Sequence, residues 1–260
     1  MSDVTPWNAD FSYAYYIRML DALRTNYTPN LLRDASDVLA RPRGRVVFLR
    51  HDVDISTRMA LRMAELENEH GVASTYMFIP NSPLYKLEEA SCRQEVRRIA
   101  ELGHEAGLHF DCPDEFRNNP ESAEGLEAQI LDSCAWMEKV LELPIRSVSF
   151  HRPIPWLLRG PLLLSGKVNA YAAALMDWYL SDSAGRWREG EPLPKIAAPG
   201  KDVLQLLVHP IWWAEPKRTP HENLEQLIQE ETADLNSKAA AQFRERIWET
   251  IPGARLGSAT

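Results

Sequence analysis

Val46-Val47-Phe48-Leu49-Arg50-His51-Asp52-Val53-Asp54 runs without a break from an apolar segment into a cluster of ionisable side chains. A short apolar run rich in β-branched and aromatic residues reads as a buried strand. Carried to its end, a strand's period of two places Val46, Phe48, Arg50, Asp52 and Asp54 on one face, the two carboxylates roughly 7 Å apart. That spacing suits one carboxylate on a metal and the other on its water. Asp54 or Ser56 could instead cap the helix that starts near Thr57. Capping explains one residue and leaves the His-Asp-Val-Asp run unexplained.

The same ending recurs along the chain. His104-Glu105-Ala106-Gly107-Leu108-His109-Phe110-Asp111 reads as a short strand with Gly107, His109 and Asp111 on one face. Ser147 to Phe150 runs into His151-Arg152-Pro153, Tyr179-Leu180-Ser181 into Asp182, and Val203 to Val208 into His209-Pro210-Ile211-Trp212-Trp213. A further strand is expected from Ala73 to Ile79. Helices are expected at Phe11 to Arg24, Thr57 to His70 with Gly71 as its stop, Cys92 to Leu102 and Glu121 to Leu141. Glu222 to Trp248 reads as one long amphipathic helix. Trp156 to Leu164 reads as helical despite Pro161, and Ala170 to Met176 fits helix or strand. Strands that end in acid or imidazole and lead into helices point to a parallel β/α barrel, whose catalytic groups gather at the C-terminal ends of the strands.

Length fits one such barrel: of 260 residues, 1–44 form an N-terminal helix and lead-in, 45–213 the motif-bearing barrel, and 214–260 a C-terminal helix. With 45% hydrophobic and 25% charged residues the composition is globular, and a net charge of −8 argues against a general nucleic-acid binder. Three cysteines, Cys92, Cys112 and Cys134, form no close pair, so neither a disulfide framework nor a thiolate zinc site is expected. No run approaches a membrane span and no leader is legible, which together give the expectation of a cytoplasmic protein. The oligomeric state is not legible.

A catalytic divalent metal takes about three protein ligands and an open position. Asp54 and His109 are the first two, and His151, Asp111 or His104 supplies the third. Periodicity favours Asp111, whereas a second imidazole suits zinc. Asp52 beside the metal is placed as general base, and His209 across the site as the acid for a leaving nitrogen. Trp212 and Trp213 are expected to wall the pocket, with Asp182 as a further substrate contact.

The set Arg50-His51-Asp52-Val53-Asp54, Gly103-His104-Glu105-Ala106-Gly107-Leu108-His109, Phe150-His151-Arg152-Pro153 and Leu207-Val208-His209-Pro210 resembles, in order, the successive motifs of the polysaccharide deacetylase superfamily (NodB-homology, carbohydrate esterase family 4). The resemblance implies a single α/β domain folded as a distorted (β/α) barrel, with metal-dependent removal of acetyl groups from glycans. By resemblance Asp52 is the catalytic base, Asp54 and His109 bind metal, and His209 is the catalytic acid.

The chain also departs from that pattern. Val53 separates the usual adjacent aspartates, and Pro113 stands where the second metal histidine belongs. His151 replaces the third motif's arginine, so His151 is assigned the vacant ligand position and Arg152 the arginine's role. The expected activity is deacetylation of an N-acetylated sugar, such as a nucleotide- or lipid-linked precursor of a surface polysaccharide, with zinc, or else cobalt or nickel, as cofactor. The alternatives are a hydrolase of small cyclic or linear amides and a catalytically degenerate glycan-binding protein.

Overall fold

A computed structural model describes residues 9–113, 116, 123–153, 155–233 and 235–251. The elements are helix α1 (Tyr13–Asn26), strand β1 (Thr28–Asn30), helix α2 (Ala35–Ala40), β2 (Val46–Val53), α3 (Thr57–Glu69), β3 (Thr75–Phe78), α4 (Ala90–Glu101), β4 (Glu105–Phe110), α5 (Ala123–Leu141), β5 (Ser147–Phe150), β6 (Leu163–Leu164), β7 (Lys167–Asn169), β8 (Tyr179–Ser181), α6 (Pro192–Ala197), β9 (Val203–Val208), α7 (Pro220–Thr232) and α8 (Ser237–Thr250). The strands form one curled sheet in the order β6-β7-β5-β4-β3-β2-β9-β8, with β1 beside β2. Every pairing is parallel except β6 with β7. This is a parallel β/α barrel, as the strand endings predict, in the distorted form that the resemblance implies.

All eight residues of β2 are buried, as a strand covered on both faces requires. β9 pairs with its residues Val46 to His51 and β3 with Arg50 to Val53, which sets His51 opposite Val208 and Asp52 opposite Met77. Helix α3 lies against it through Thr57, Ala60, Met63, Ala64 and Glu67, the 3-4 spacing of an amphipathic face. Gly71 follows with φ +66°, the left-handed conformation that ends such helices without the cost of a Cβ.

The segment between α1 and β2 does more than lead into the barrel. Leu32 and Ala35 pack with Val46, Phe48 and Met77 inside the curl. The Leu32 amide donates to Thr75 Oγ1 (3.0 Å) and the Arg33 amide to Glu105 Oε2 (2.9 Å), at the first residues of β3 and β4. This segment thereby packs across the end of the barrel where the strands begin. Gly107 lets the strands approach closely in this interior: a Cβ there would run into Met77 Sδ and lie 3.2 Å from the Ser147 carbonyl.

Alternation sends His51 to the opposite side of β2 from Asp52 and Asp54. There its Nε2 lies 2.6 Å from Glu67 Oε1, and Glu67 also accepts from Tyr16, Ser74 and Tyr76. Burial opposes the charge on Glu67, but His51 beside it holds the carboxyl at about 2. His104, one of the three candidates for third metal ligand, belongs to this outer cluster, with Nδ1 2.9 Å from Ser74 Oγ and Nε2 3.0 Å from the Ala64 carbonyl. It is a packing histidine between sheet and helix.

Three expected elements differ. Residues 156–164 hold a single 3₁₀ turn, Pro155–Leu157, and then β6, not a helix. Residues 170–176 are turns against the barrel, neither helix nor strand. The C-terminal helix is two helices, because Asn236 caps a new one by accepting from the Ala239 amide (3.1 Å). Residues 121 and 122 of the expected helix Glu121 to Leu141 lie outside the described residues.

Candidate active site

Ser56, not Asp54, caps α3: its Oγ accepts from the Met59 amide at 3.3 Å. Asp54 is therefore left at the end of the strand face that carries Asp52, and both carboxylates are buried, at 7% and 2% exposure. Asp54 Oδ1 lies 3.2 Å from His109 Nε2 and 3.2 Å from His151 Nδ1, on the ends of β4 and β5. The ligand atoms of these three residues fall within 4.8 Å of one another.

Asp54 Oδ1 is buried without a hydrogen-bond partner. A buried carboxylate oxygen in that condition costs several kcal/mol unless a cation shares the space. One carboxylate and two imidazoles with their ligand atoms gathered in this way match the donor set of a catalytic divalent metal. The residues present therefore fit such an ion. Burial works against the charge on Asp54, and His151 beside it holds its carboxyl far below the usual carboxylate range.

Asp52 stands next to this cluster, Oδ2 3.7 Å from His109 Nε2. Its partner is Arg50, two residues back on the same face: Nε donates to Oδ1 (2.9 Å) and Nη2 to Oδ2 (2.8 Å). Arg50 is wholly buried, and Nη1 and Nη2 reach Gln205 Oε1 (3.3 Å) and the Tyr171 hydroxyl (3.0 Å). Its guanidinium also lies over the Tyr171 ring, 4.6 Å from the centroid. Burial raises the Asp52 carboxyl, yet the Arg50 guanidinium outweighs it and keeps Asp52 below its ordinary value.

His209 approaches from the end of β9, Nε2 3.9 Å from Asp54 Oδ2. Asp182, at the end of β8, takes both its Nδ1 (2.6 Å) and its backbone amide (3.0 Å). Burial disfavours the imidazolium, but Asp182, with Asp54 and Asp52 behind it, pushes His209 up to about 9. At neutral pH this imidazole carries a proton.

Several assignments change in this geometry. Asp182 is 0% exposed and spends its oxygens on His209 and on the Trp213 indole N–H (3.0 Å), so it positions the histidine and offers nothing to a substrate. Trp212 and Trp213 are both 0% exposed, and Trp213 borders a cavity beside Tyr13, Arg58 and Arg62, away from the ligand cluster. Trp213 packs against Phe11 and Tyr16 of the N-terminal segment, ring centroids 5.3 and 4.9 Å apart. Asp111 lies outside the ligand cluster, because its carboxylate is held by Arg152 (2.8 Å) at the half-exposed rim. Arg152 pairs with Asp111 at the rim, and the guanidinium that holds Asp52 is that of Arg50. Ser149, which alternation places on the interior face of β5, sits opposite His109 in register and joins the site without any strand-ending signal.

No family model matches the chain, and no curated protein does. Solved structures do match. One is a Streptococcus pyogenes deacetylase in complex with acetate, 13% identical, the match covering 87% of this chain and 92% of that one with a TM-score of 0.45. A second is a family 4 acetyl xylan esterase from Clostridium thermocellum in complex with a cobalt ion, at 18% identity, 72% and 83% coverage and TM-score 0.39. A third is a mutant, with restored enzymatic activity, of a CE4 family pseudoenzyme from Bacillus anthracis, at 16% identity and TM-score 0.40. That match covers 73% of this chain and 63% of the other, so the chain spans less than two thirds of that protein's length. Likeness to these esterases is distant, and the chemistry has to come from this chain's own side chains. No helix among the described residues is long and apolar enough to cross a membrane.

Proposed function

We propose that this chain is a metal-dependent hydrolase that removes the acetyl group from an N-acetylated sugar or glycan precursor, nucleotide- or lipid-linked, in the cytoplasmic stages of surface polysaccharide synthesis. One observation carries the reading: beside the Asp54, His109 and His151 cluster stand an ionised carboxylate, Asp52, and a protonated imidazole, His209. Neighbouring groups whose proton affinities are driven apart are the mark of an assigned base and acid. The motif resemblance supports the acetylated sugar as substrate.

A divalent cation held by Asp54, His109 and His151 would supply Lewis-acid polarisation of the acetyl carbonyl. We assign it as zinc, with cobalt or nickel as substitutes, because two of the three ligands are imidazoles. Asp52 accepts the proton of the attacking water. Arg50 fixes the plane of that carboxylate, so the base cannot rotate away from the cluster. His209 Nε2 gives its proton to the departing amine nitrogen, while Asp182 holds Nδ1 and with it the direction of Nε2. The products are acetate and an amino sugar.

The test is acetate release from an N-acetylhexosamine nucleotide and from an N-acetylated oligosaccharide. Protein reconstituted with zinc is expected to release acetate from one of them, and a chelator to stop it. Absence of acetate from both, with zinc bound, would overturn the deacetylase reading.

A further inference from the structure

Ser149 is wholly buried on the interior face of β5, in register with His109 on β4. Its Oγ lies 2.6 Å from His109 Nδ1 and, on the other side, 3.5 Å from Asp52 Oδ1. A serine hydroxyl has one proton to give and lone pairs to receive with. Asp52 Oδ1 accepts, so the Ser149 proton points to it, and a lone pair of Oγ is what meets the imidazole. Nδ1 of His109 must then carry the hydrogen, which leaves Nε2 as a bare lone pair.

Asp54 Oδ1 sits 3.2 Å from His109 Nε2, so that lone pair and the carboxylate oxygen belong to the same cluster of ligand atoms.

We propose that Ser149 is a positioning residue: it selects the His109 tautomer that presents Nε2 to a cation and ties that ligand to the base Asp52 through one hydroxyl. A histidine ligand whose other ring nitrogen is held in this way keeps its orientation and tautomer, and loss of the holding group typically costs about 10–100-fold in metal affinity or activity. The role rests on the proposed metal-dependent function, but the tautomer does not depend on metal being bound. Ser147, two residues earlier on the same face, is not interchangeable with it, because its hydroxyl donates to Glu105 Oε1 (2.6 Å) near the barrel floor.

Two measurements test it. In metal-free wild-type protein, at a pH where the imidazole is neutral, the side-chain ¹⁵N shifts of His109 are expected to show the proton on Nδ1. In zinc competition against a chelator, Ser149→Ala is expected to bind about 10–100-fold more weakly than wild type. Ser149→Thr, which keeps the hydroxyl, is expected to recover most of that loss. A proton found on Nε2, or zinc bound by Ser149→Ala as tightly as by wild type, would overturn the role. Wild-type protein that binds no zinc at all contradicts the proposed function instead, and the tautomer then decides Ser149 by itself. If Ser149→Ala does not fold, the wild-type tautomer decides in the same way.

Discussion

Asp52→Asn lowers the rate of acetate release by about 10²–10⁴-fold, the usual contribution of a general base, and leaves zinc bound. Asparagine has nearly the same shape but cannot take up a proton at neutral pH. The metal survives because the converging ligands are Asp54, His109 and His151, and Asp52 is not one of them. Stability does not survive intact. The amide cannot accept both Arg50 bonds, now at 2.9 and 2.8 Å, as a carboxylate does, so a buried guanidinium loses its counter-charge. Removing one member of a buried pair costs about 3–5 kcal/mol. Rates have to be compared below the lowered unfolding midpoint. Turnover at the wild-type rate would remove Asp52 from the base position.

Arg50→Met and Arg152→Met have opposite consequences, although sequence position makes Arg152 look the more catalytic. Arg50 is wholly buried and paired with an almost wholly buried acid, so its loss leaves Asp52 charged and uncompensated inside the barrel. The expected cost is about 3–5 kcal/mol in chemical denaturation. Much of the activity goes with it, since nothing else grips both Asp52 oxygens. Arg152 and Asp111 are 49% and 38% exposed, and a pair of that kind contributes about 0–1 kcal/mol. Combining Arg50→Met with Asp52→Asn removes both charges, and the double variant is expected to be more stable than Arg50→Met alone. Equal stability losses for Arg50→Met and Arg152→Met would show that the buried pair does not have the role assigned to it.

The strand endings were legible because each is local: an apolar run that stops at acid or imidazole. The face that carries Asp52 and Asp54 follows from alternation alone, and so does the exclusion of His51. What alternation could not supply was pairing between strands. Arg50 stands in the quoted stretch on the same face as Asp52, yet its pairing depends on a barrel interior dry enough to make a guanidinium seek a carboxylate two residues away. Asp182 was visible as a strand ending, but its use depends on β8 lying beside β9. Ser149 carried no signal of its own until β5 was placed beside β4.

Elsewhere the misses have simple physical causes. Ser165-Gly166 between Leu164 and Lys167 have φ of +46° and +79°, the two positive values of a tight two-residue hairpin loop, so the Leu-rich run before it folds as a strand. Helical spacing of apolar residues from Glu222 to Trp248 hid a break, because Asn236 caps a second helix without disturbing the pattern. Trp212 and Trp213 follow a catalytic-looking histidine and so suggest a pocket wall. A 3₁₀ turn, Pro210–Trp212, instead carries the chain inward, and the Trp213 indole N–H finds Asp182.

The metal content of protein purified without added ions is the most direct test, because base, acid and positioning serine all derive their roles from the Asp54, His109 and His151 cluster. About one divalent ion per chain is expected, falling with Asp54→Asn, which trades an anionic ligand for a neutral one. Less than about a tenth of an ion per chain, with no rise in thermal stability on adding zinc, cobalt or nickel, would contradict the account.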